Sequence, residues 1–395
     1  MSDILKKDIN IAMVGISGSG KSSFLSSLNQ IFTLSSVNGI TILPRNDENQ
    51  NDFFTIGKLS SFSINDDIGT DRTTIYKLKL KVDSDILCNF NFIDYRGGVL
   101  VDMFKPNKSK EEKQEIEKTK EYIKNSDAIL VLADSILLSN NTGMSKNKLI
   151  GADKINPLFN IFEDNLSKKQ MSFLILLTKS DSDAILKEDK LNNYSSLANK
   201  ALESFNVVYE CAKRHVKDNW NFGILPITCI GEGNSITNEV QNNGKEKIYV
   251  SKLKENIDPA PKNIDIAILS SIVNALRYKI EEYKDENDKL DKYIKELTEE
   301  KDNIKILNGS KYKHYVESYL NKSSNKKTNK NQVSKNKINM SGFFYGKKYK
   351  EILDEKIEIL QKEIKLNNKD IKFIEESIDK ILNKVDIDKN LIFSF

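Results

Sequence analysis

One short run between an apolar segment and a helix-like one constrains this chain more than any other. Ile9-Asn10-Ile11-Ala12-Met13-Val14 leads into Gly15-Ile16-Ser17-Gly18-Ser19-Gly20-Lys21-Ser22, and Ser23-Phe24-Leu25-Ser26-Ser27-Leu28 follows. The spacing G-x-x-x-x-G-K-[ST] between strand and helix makes a cradle for phosphate oxygens. Gly15, Gly18 and Gly20 let backbone N–H groups turn inward, and the helix N-terminus adds its positive end. Ser17, Ser19, Lys21, Ser22 and Ser23 complete the candidate phosphate contacts. A nucleoside triphosphate is the expected ligand.

The following residues alternate between strand and helix signals. Ile75–Val82 alternates apolar and polar as a half-buried strand does, and Ile86–Asp94 alternates similarly. The break at Asp83-Ser84-Asp85 predicts an antiparallel hairpin. Lys108–Lys124 and Lys190–Val216 have helical character. Ala128–Ala133 and Phe173–Leu177 are continuous apolar runs of the buried parallel type, and Ile224–Thr228 ends the series. The expectation is an α/β domain with a mostly parallel sheet and the hairpin at one edge. Residues 30–69 and 135–157 are read as insertions, the second marked as a surface loop by Ser139-Asn140-Asn141-Thr142-Gly143.

Two further motifs end predicted strands. Asp94-Tyr95-Arg96-Gly97 is a D-x-x-G, and Thr178-Lys179-Ser180-Asp181 is a T-K-x-D. Each alone is weak. Together with the glycine-rich run, all at C-terminal strand ends where open α/β sheets bind ligands, they are a strong signal. On these motifs residues 8–260 resemble the P-loop GTPases of the translation-factor and Ras-like class.

The resemblance implies GTP or GDP with Mg²⁺. Lys21 then neutralises the β- and γ-phosphates, the Ser22 hydroxyl ligates Mg²⁺, and Asp94 holds it through water. The Gly97 N–H senses the γ-phosphate. Thr74 is the chosen second Mg²⁺ ligand, with Thr73 close behind; a polar loop entering a strand gives the same residues. Thr178 and the Lys179 stem border the base. Asp181 accepts from guanine N1–H and the 2-amino group, a pair that adenine lacks. Thr228 and Cys229 belong to a loose fifth motif that contacts the guanine oxygen.

Gly98 stands where many small GTPases carry a glutamine, so slow or partner-dependent hydrolysis is expected. Arg72, beside the switch threonines, is a candidate arginine finger in cis, a solvated loop cation being the alternative.

From Ile264 the pattern changes. Ile280, Tyr283, Asn287, Leu290, Ile294, Leu297, Lys301 and Ile304 recur at steps of three and four, as do Leu353, Ile357, Leu360, Ile364, Asn367, Ile371, Ile374, Ile378, Ile381 and Val385. Two such seams joined by a connector predict an α-helical antiparallel coiled-coil hairpin, with Asn287 and Asn367 at one level. A dimer through either helix is the competing arrangement. The expected domains are 1–262, a GTPase domain, and 263–395, the hairpin, with a Lys-rich, partly disordered connector at 308–348. That connector has ten lysines against Glu317 alone, and Phe343-Phe344-Tyr345 lie beside them. Residues 322–348 could therefore meet an anionic membrane surface or, less favoured, nucleic acid; solvation of a hairpin tip is the plain alternative. The apolar residues Leu391–Phe395 are expected to dock on the GTPase domain or the base of the hairpin.

The 395 residues carry a net charge of +4 and are 30% charged, so the chain as a whole is no polycation. Cys88, Cys211 and Cys229 follow no disulfide or zinc spacing, and no leader or membrane-spanning run is evident. A cytoplasmic protein is expected, with a peripheral place at a membrane as the further option. A homodimer or a protein effector is the further expected partner, and three functions fit the motifs: a GTP-hydrolysing switch acting on the hairpin, a low-turnover nucleotide-binding scaffold or interaction protein, and a chromosome-maintenance type of ATPase. The third needs a second nucleotide half beyond the coil, for which about ten residues are too few. Substituting Arg72→Ala should lower kcat and leave GTP affinity nearly intact. Single-turnover hydrolysis at the wild-type rate would remove the arginine from the mechanism.

Overall fold

The computed structural model describes residues 8–45, 73–95, 98–140, 143–166, 171–182, 185, 190–214, 221–242, 246–254, 257–303, 342–387 and 393–394. They form two compact units, residues 1–278 with 374–395, and residues 279–373. Arg72, Gly97, the insertion beyond Arg45 and the connector up to residue 341 lie outside the described residues.

Among the described residues of the first unit, eight strands build one sheet in the order β10-β7-β6-β5-β1-β4-β3-β2. They are β1 (Ile9–Val14), β2 (Ile40–Pro44), β3 (Thr74–Val82), β4 (Asp85–Asp94), β5 (Ala128–Asp134), β6 (Ser172–Thr178), β7 (Asn221–Pro226) and β10 (Phe393–Ser394). Strands β4, β1, β5, β6 and β7 run parallel. Strands β3 and β2 extend one edge antiparallel, and β10 closes the other. The parallel centre is what Ala128–Asp134 and Ser172–Thr178 specify. Every residue of both strands is buried, as helices on both faces require.

Helices supply those two layers. They are α1 (Lys21–Asn29), α2 (Val99–Asp102), α3 (Lys110–Asn125), α4 (Ser135–Asn140), α5 (Gly143–Leu149), α6 (Ala152–Leu166), α7 (Lys190–Ser204) and α8 (Asn206–Arg214). Alternate residues Ala12, Val14, Ile129, Val131, Ala133, Phe173, Ile175 and Leu177 present one sheet face to a core shared with Ile116, Ile155, Phe159, Ala201 and Val208. On the other face Phe24 of α1 stacks on Phe92 of β4, with ring centroids 6.0 Å apart. Each such side chain, fully buried, contributes about 1.5–3 kcal/mol relative to exposure. The start of α3 is fixed by a capping box, in which Ser109 Oγ accepts from Glu112 N and Ser109 N donates to Glu112.

Four readings change. Residues 135–157 are not a surface loop: α4, α5 and the start of α6 bring Ile136, Leu138, Ile150 and Ile155 into the main core. The run of Asn and Gly at 140–143 hides a helical period that resumes at once. In the stretch read as an insertion at 30–69, Ile40 and Ile42 form β2 against β3, a strand too short to show its alternation. The helical run at 190–216 breaks at Phe205, whose ring is fully buried between α7 and α8. A two-stranded ribbon, β8 (Ser235–Asn242) with β9 (Glu246–Leu253), follows the last parallel strand.

Helix α9 (Ile264–Asn303) begins in the first unit. There Tyr278 donates to Met171 O at 2.7 Å and accepts from Asn221 N at 3.0 Å. Helix α10 (Gly342–Leu382) starts inside the segment read as connector and ends in the same unit. Its last turn and the residues after it hold the β3–β4 turn: Lys380 pairs with Asp85, and Lys384 with Asp83 and Asn38 O.

In the second unit α9 and α10 make an antiparallel helical hairpin. Residue numbers rise along one helix as they fall along the other, from Asn287 against Asn367 through Leu297 against Leu353 to Glu300 against Tyr349. The asparagine pair expected from the seams forms, with Asn367 Nδ2 donating to Asn287 Oδ1 at 3.0 Å and Asn287 Nδ2 to Asn368 Oδ1 at 2.9 Å. No helix among the described residues is long and apolar enough to cross a membrane. Substituting Asn287→Leu should destabilise the hairpin by about 1–3 kcal/mol, because the Asn367 amide then loses its acceptor. Asn287→Leu with Asn367→Leu should recover most of that loss. Thermal unfolding followed by helical ellipticity checks both, and equal melting of the single variant and the wild type would refute the pairing.

Candidate functional site

The parallel strands deliver the loops that follow β1, β4, β5, β6 and β7 to one edge of the sheet. The first loop is built on glycine geometry. Gly18 and Gly20 have φ of +78° and +99°, in the left-handed region that glycine adopts without penalty. A Cβ on Gly15 would lie 2.4 Å from Ser19 Oγ. A side chain at Gly15 would have to displace the Ser19 hydroxyl and crowd Ser19 Cβ and Leu132 Cβ at 3.2 and 3.3 Å. Ser19 Oγ is buried and finds no hydrogen-bond partner among the described residues. The loop thus carries a buried hydroxyl whose hydrogen bond is not made within the described residues.

Lys21 opens α1 and folds back over this loop. Its Nζ donates to Gly15 O at 2.8 Å and Ile16 O at 3.0 Å. Burial lowers the ammonium pKa from its usual range, and the Asp94 carboxylate opposes that shift. Asp94 ends β4 and is buried. Thr74 begins β3 directly opposite it in the antiparallel register, so both side chains share one face. Thr73 Oγ1 turns instead toward Glu115 at 3.4 Å. Ser22 follows Lys21 in the first turn of α1, with Ser23 beyond it. Gly98 caps the short helix α2.

The T-K-x-D segment joins the same edge. Thr178 Oγ1 donates to Ser19 O at 2.9 Å, which ties the loop after β6 to the glycine-rich loop. Lys179 has φ of +55° and reaches Asp134 Oδ2 at 2.5 Å. Asp181 Oδ2 accepts from the Thr228 hydroxyl and from Gly231 N at 2.9 Å. Burial raises the Asp181 carboxyl above the usual range, and the Thr228 and Gly231 bonds partly offset it. Cys229 sits between those partners with its thiol pushed up to about 12 by burial. The loops after β6 and β7 are thus one bonded assembly.

Three residues outside the sequence-derived set belong to this edge. The Tyr95 hydroxyl accepts from Gly15 N at 3.0 Å, and its ring lies 5.9 Å from Lys21 Nζ. Asp134 holds Lys179, and Gly231, with φ of +104°, completes the Asp181 cap. Asp94-Tyr95 placed Tyr95 inside a motif, but its partner lies 80 residues away. For Asp134, a terminal carboxylate on an apolar strand was the available signal.

No family model matches this chain, and no curated protein does. Among solved structures, the chain is similar to a dimerization-deficient mutant of Toc33 from Arabidopsis thaliana, at 15% identity and a TM-score of 0.33, over 57% of this chain and 72% of that one. It is also similar to LeoA, a bacterial dynamin GTPase from ETEC, at 12% identity and a TM-score of 0.29, over 96% of this chain and 62% of that one.

Replacing Thr228→Val should destabilise the first unit by about 1.5–3 kcal/mol at neutral pH, since a buried carboxylate loses a donor. The sign with pH follows from the raised Asp181 carboxyl. Above the ordinary carboxylate range the folded chain keeps a proton that the unfolded chain has released, so stability falls as pH rises through that window. Removing the donor widens the window, and the penalty should be larger at neutral pH than in acid. Urea unfolding at the two pH values measures it; a pH-independent penalty would contradict this account.

Proposed function

We propose that this chain is a Mg²⁺-dependent GTP-binding protein of the P-loop GTPase type that hydrolyses GTP slowly or with help from a partner. One observation carries the reading: the Asp181 carboxylate is oriented by Thr228 and Gly231 in a loop that Thr178 bonds to the glycine-rich cradle. A base-reading acid and a phosphate-binding loop at fixed separation match a guanine nucleotide lying along one sheet edge.

The residues divide the work. The Gly15–Ser22 backbone and the Lys21 ammonium take the phosphates, and Ser19 Oγ supplies another donor. Asp181 accepts guanine N1–H and the 2-amino group, while the Lys179 stem borders the ring. Ser22, Thr74 and Asp94 fit a Mg²⁺ site: they are hard oxygen donors, and a single carboxylate with phosphate oxygens is the set this ion favours. The ion, when bound, neutralises charge on the phosphates. The Asp94 carboxylate favours the charged Lys21, against the larger opposing effect of burial.

Hydrolysis needs a group that orients water. Gly98 has no side chain to do so. Arg72 or a partner is left to stabilise the transferring phosphoryl group. In this reading the nucleotide state governs the helical hairpin.

Asp181→Asn tests the base assignment, because an amide presents an N–H where guanine also donates. Affinity for GTP should fall at least about a hundredfold, as expected when one partner of a buried charged hydrogen bond is lost. Fluorescence titration with a labelled guanine nucleotide, competed by ATP, reads it. Unaltered GTP affinity in the folded variant would refute the assignment.

A further inference from the structure

Asp134 is the last residue of β5, paired with Thr178 in the parallel ladder. Its side chain is 5% exposed. Both carboxylate oxygens are used. Oδ1 accepts from Ile136 N at 2.9 Å and Leu137 N at 3.1 Å, capping α4. Oδ2 takes the Lys179 ammonium at 2.5 Å. The capping bonds prevent the carboxylate from following the lysine if it moves. At the other end, Lys179 is fixed by its left-handed backbone and by Ser182 N donating to Lys179 O at 3.2 Å. A lysine stem is ordinarily a flexible chain that loses rotamer freedom on binding. Here it is held at both ends.

We propose that Asp134 is a positioning residue for the purine: by anchoring the Lys179 ammonium it preorganises the lysine stem as a wall for the base. This rests on the guanine-nucleotide reading above. Preorganisation raises affinity by removing an ordering cost from the binding step. The effect belongs to the base, so GDP and GTP should share it. It is separate from base selection, which lies with Asp181.

Asp134→Asn isolates the charge, because the asparagine Oδ1 still caps Ile136 and Leu137 while the ion pair is lost. Asp134→Ser, another capping side chain, is the second variant should the first not fold. In the full-length protein, dissociation constants for labelled GDP and GTP should both rise about tenfold, within the usual coupling between residues that act together. Preference for GTP over inosine triphosphate, which lacks the 2-amino group, should be unchanged. The double variant Asp134→Asn with Lys179→Met should bind no more weakly than Lys179→Met alone. A folded variant with wild-type affinity, an effect on GTP but not GDP, or multiplied penalties in the double variant would each overturn the proposal. Failure of the wild-type protein to bind any guanine nucleotide would instead overturn the reading on which it rests.

Discussion

Parallel pairing of β4, β1, β5, β6 and β7 is the constraint from which the candidate site follows. Parallel neighbours end at the same edge, so the loop after each strand must start there. Residues separated by more than two hundred positions, from Gly15 to Gly231, are thereby brought to one side. The pairing is driven by burial. Strands such as Ser172–Thr178, apolar on both faces, are stable only between two helical layers, and helices returning between strands keep successive strands parallel.

Two hydrogen bonds turn this shared edge into one object. Thr178 Oγ1 reaches the carbonyl of Ser19, and the Tyr95 hydroxyl takes the N–H of Gly15. The cradle is thus held from the β6 side and from the β4 side, at a carbonyl and at an amide. Both contacts are buried, where an unmade hydrogen bond costs more than a made one contributes. Displacing either neighbouring loop leaves a polar backbone group of the cradle without its partner. The glycine-rich loop, Tyr95 of the D-x-x-G and Thr178 of the T-K-x-D are therefore bonded as well as adjacent.

Much of this was legible in the sequence, for definite reasons. Continuous apolar runs and the alternation at 75–82 are long enough to declare strands, and the hairpin asparagines Asn287 and Asn367 stand out against apolar seams. The motifs carry their own spacing. Illegible were elements whose period is cut short: β2, with only Ile40 and Ile42 facing inward, and the helices α4 to α6, interrupted by an Asn-rich joint. Also illegible were contacts set by tertiary register. Asp134 reaches Lys179 because β5 and β6 end level, with Asp134 beside Thr178. Nothing in the local sequence of either residue states that level.

The first unit also closes upon itself at the opposite edge. Tyr278 bonds at the starts of β6 and β7, through Met171 and Asn221. Lys380 and Lys384 bond at the β3–β4 turn, through Asp85 and Asp83. Strand β3 links the two edges directly. Thr74, opposite Asp94, begins it, and Val82, next to Asp83, ends it, roughly 27 Å away for an extended run of that length. It is paired with β4 along its length, with a register shift between Leu80 and Lys81, and with β2 from Leu78 to Val82. At that end Lys384 bonds to the Asp83 carboxylate and the Asn38 carbonyl.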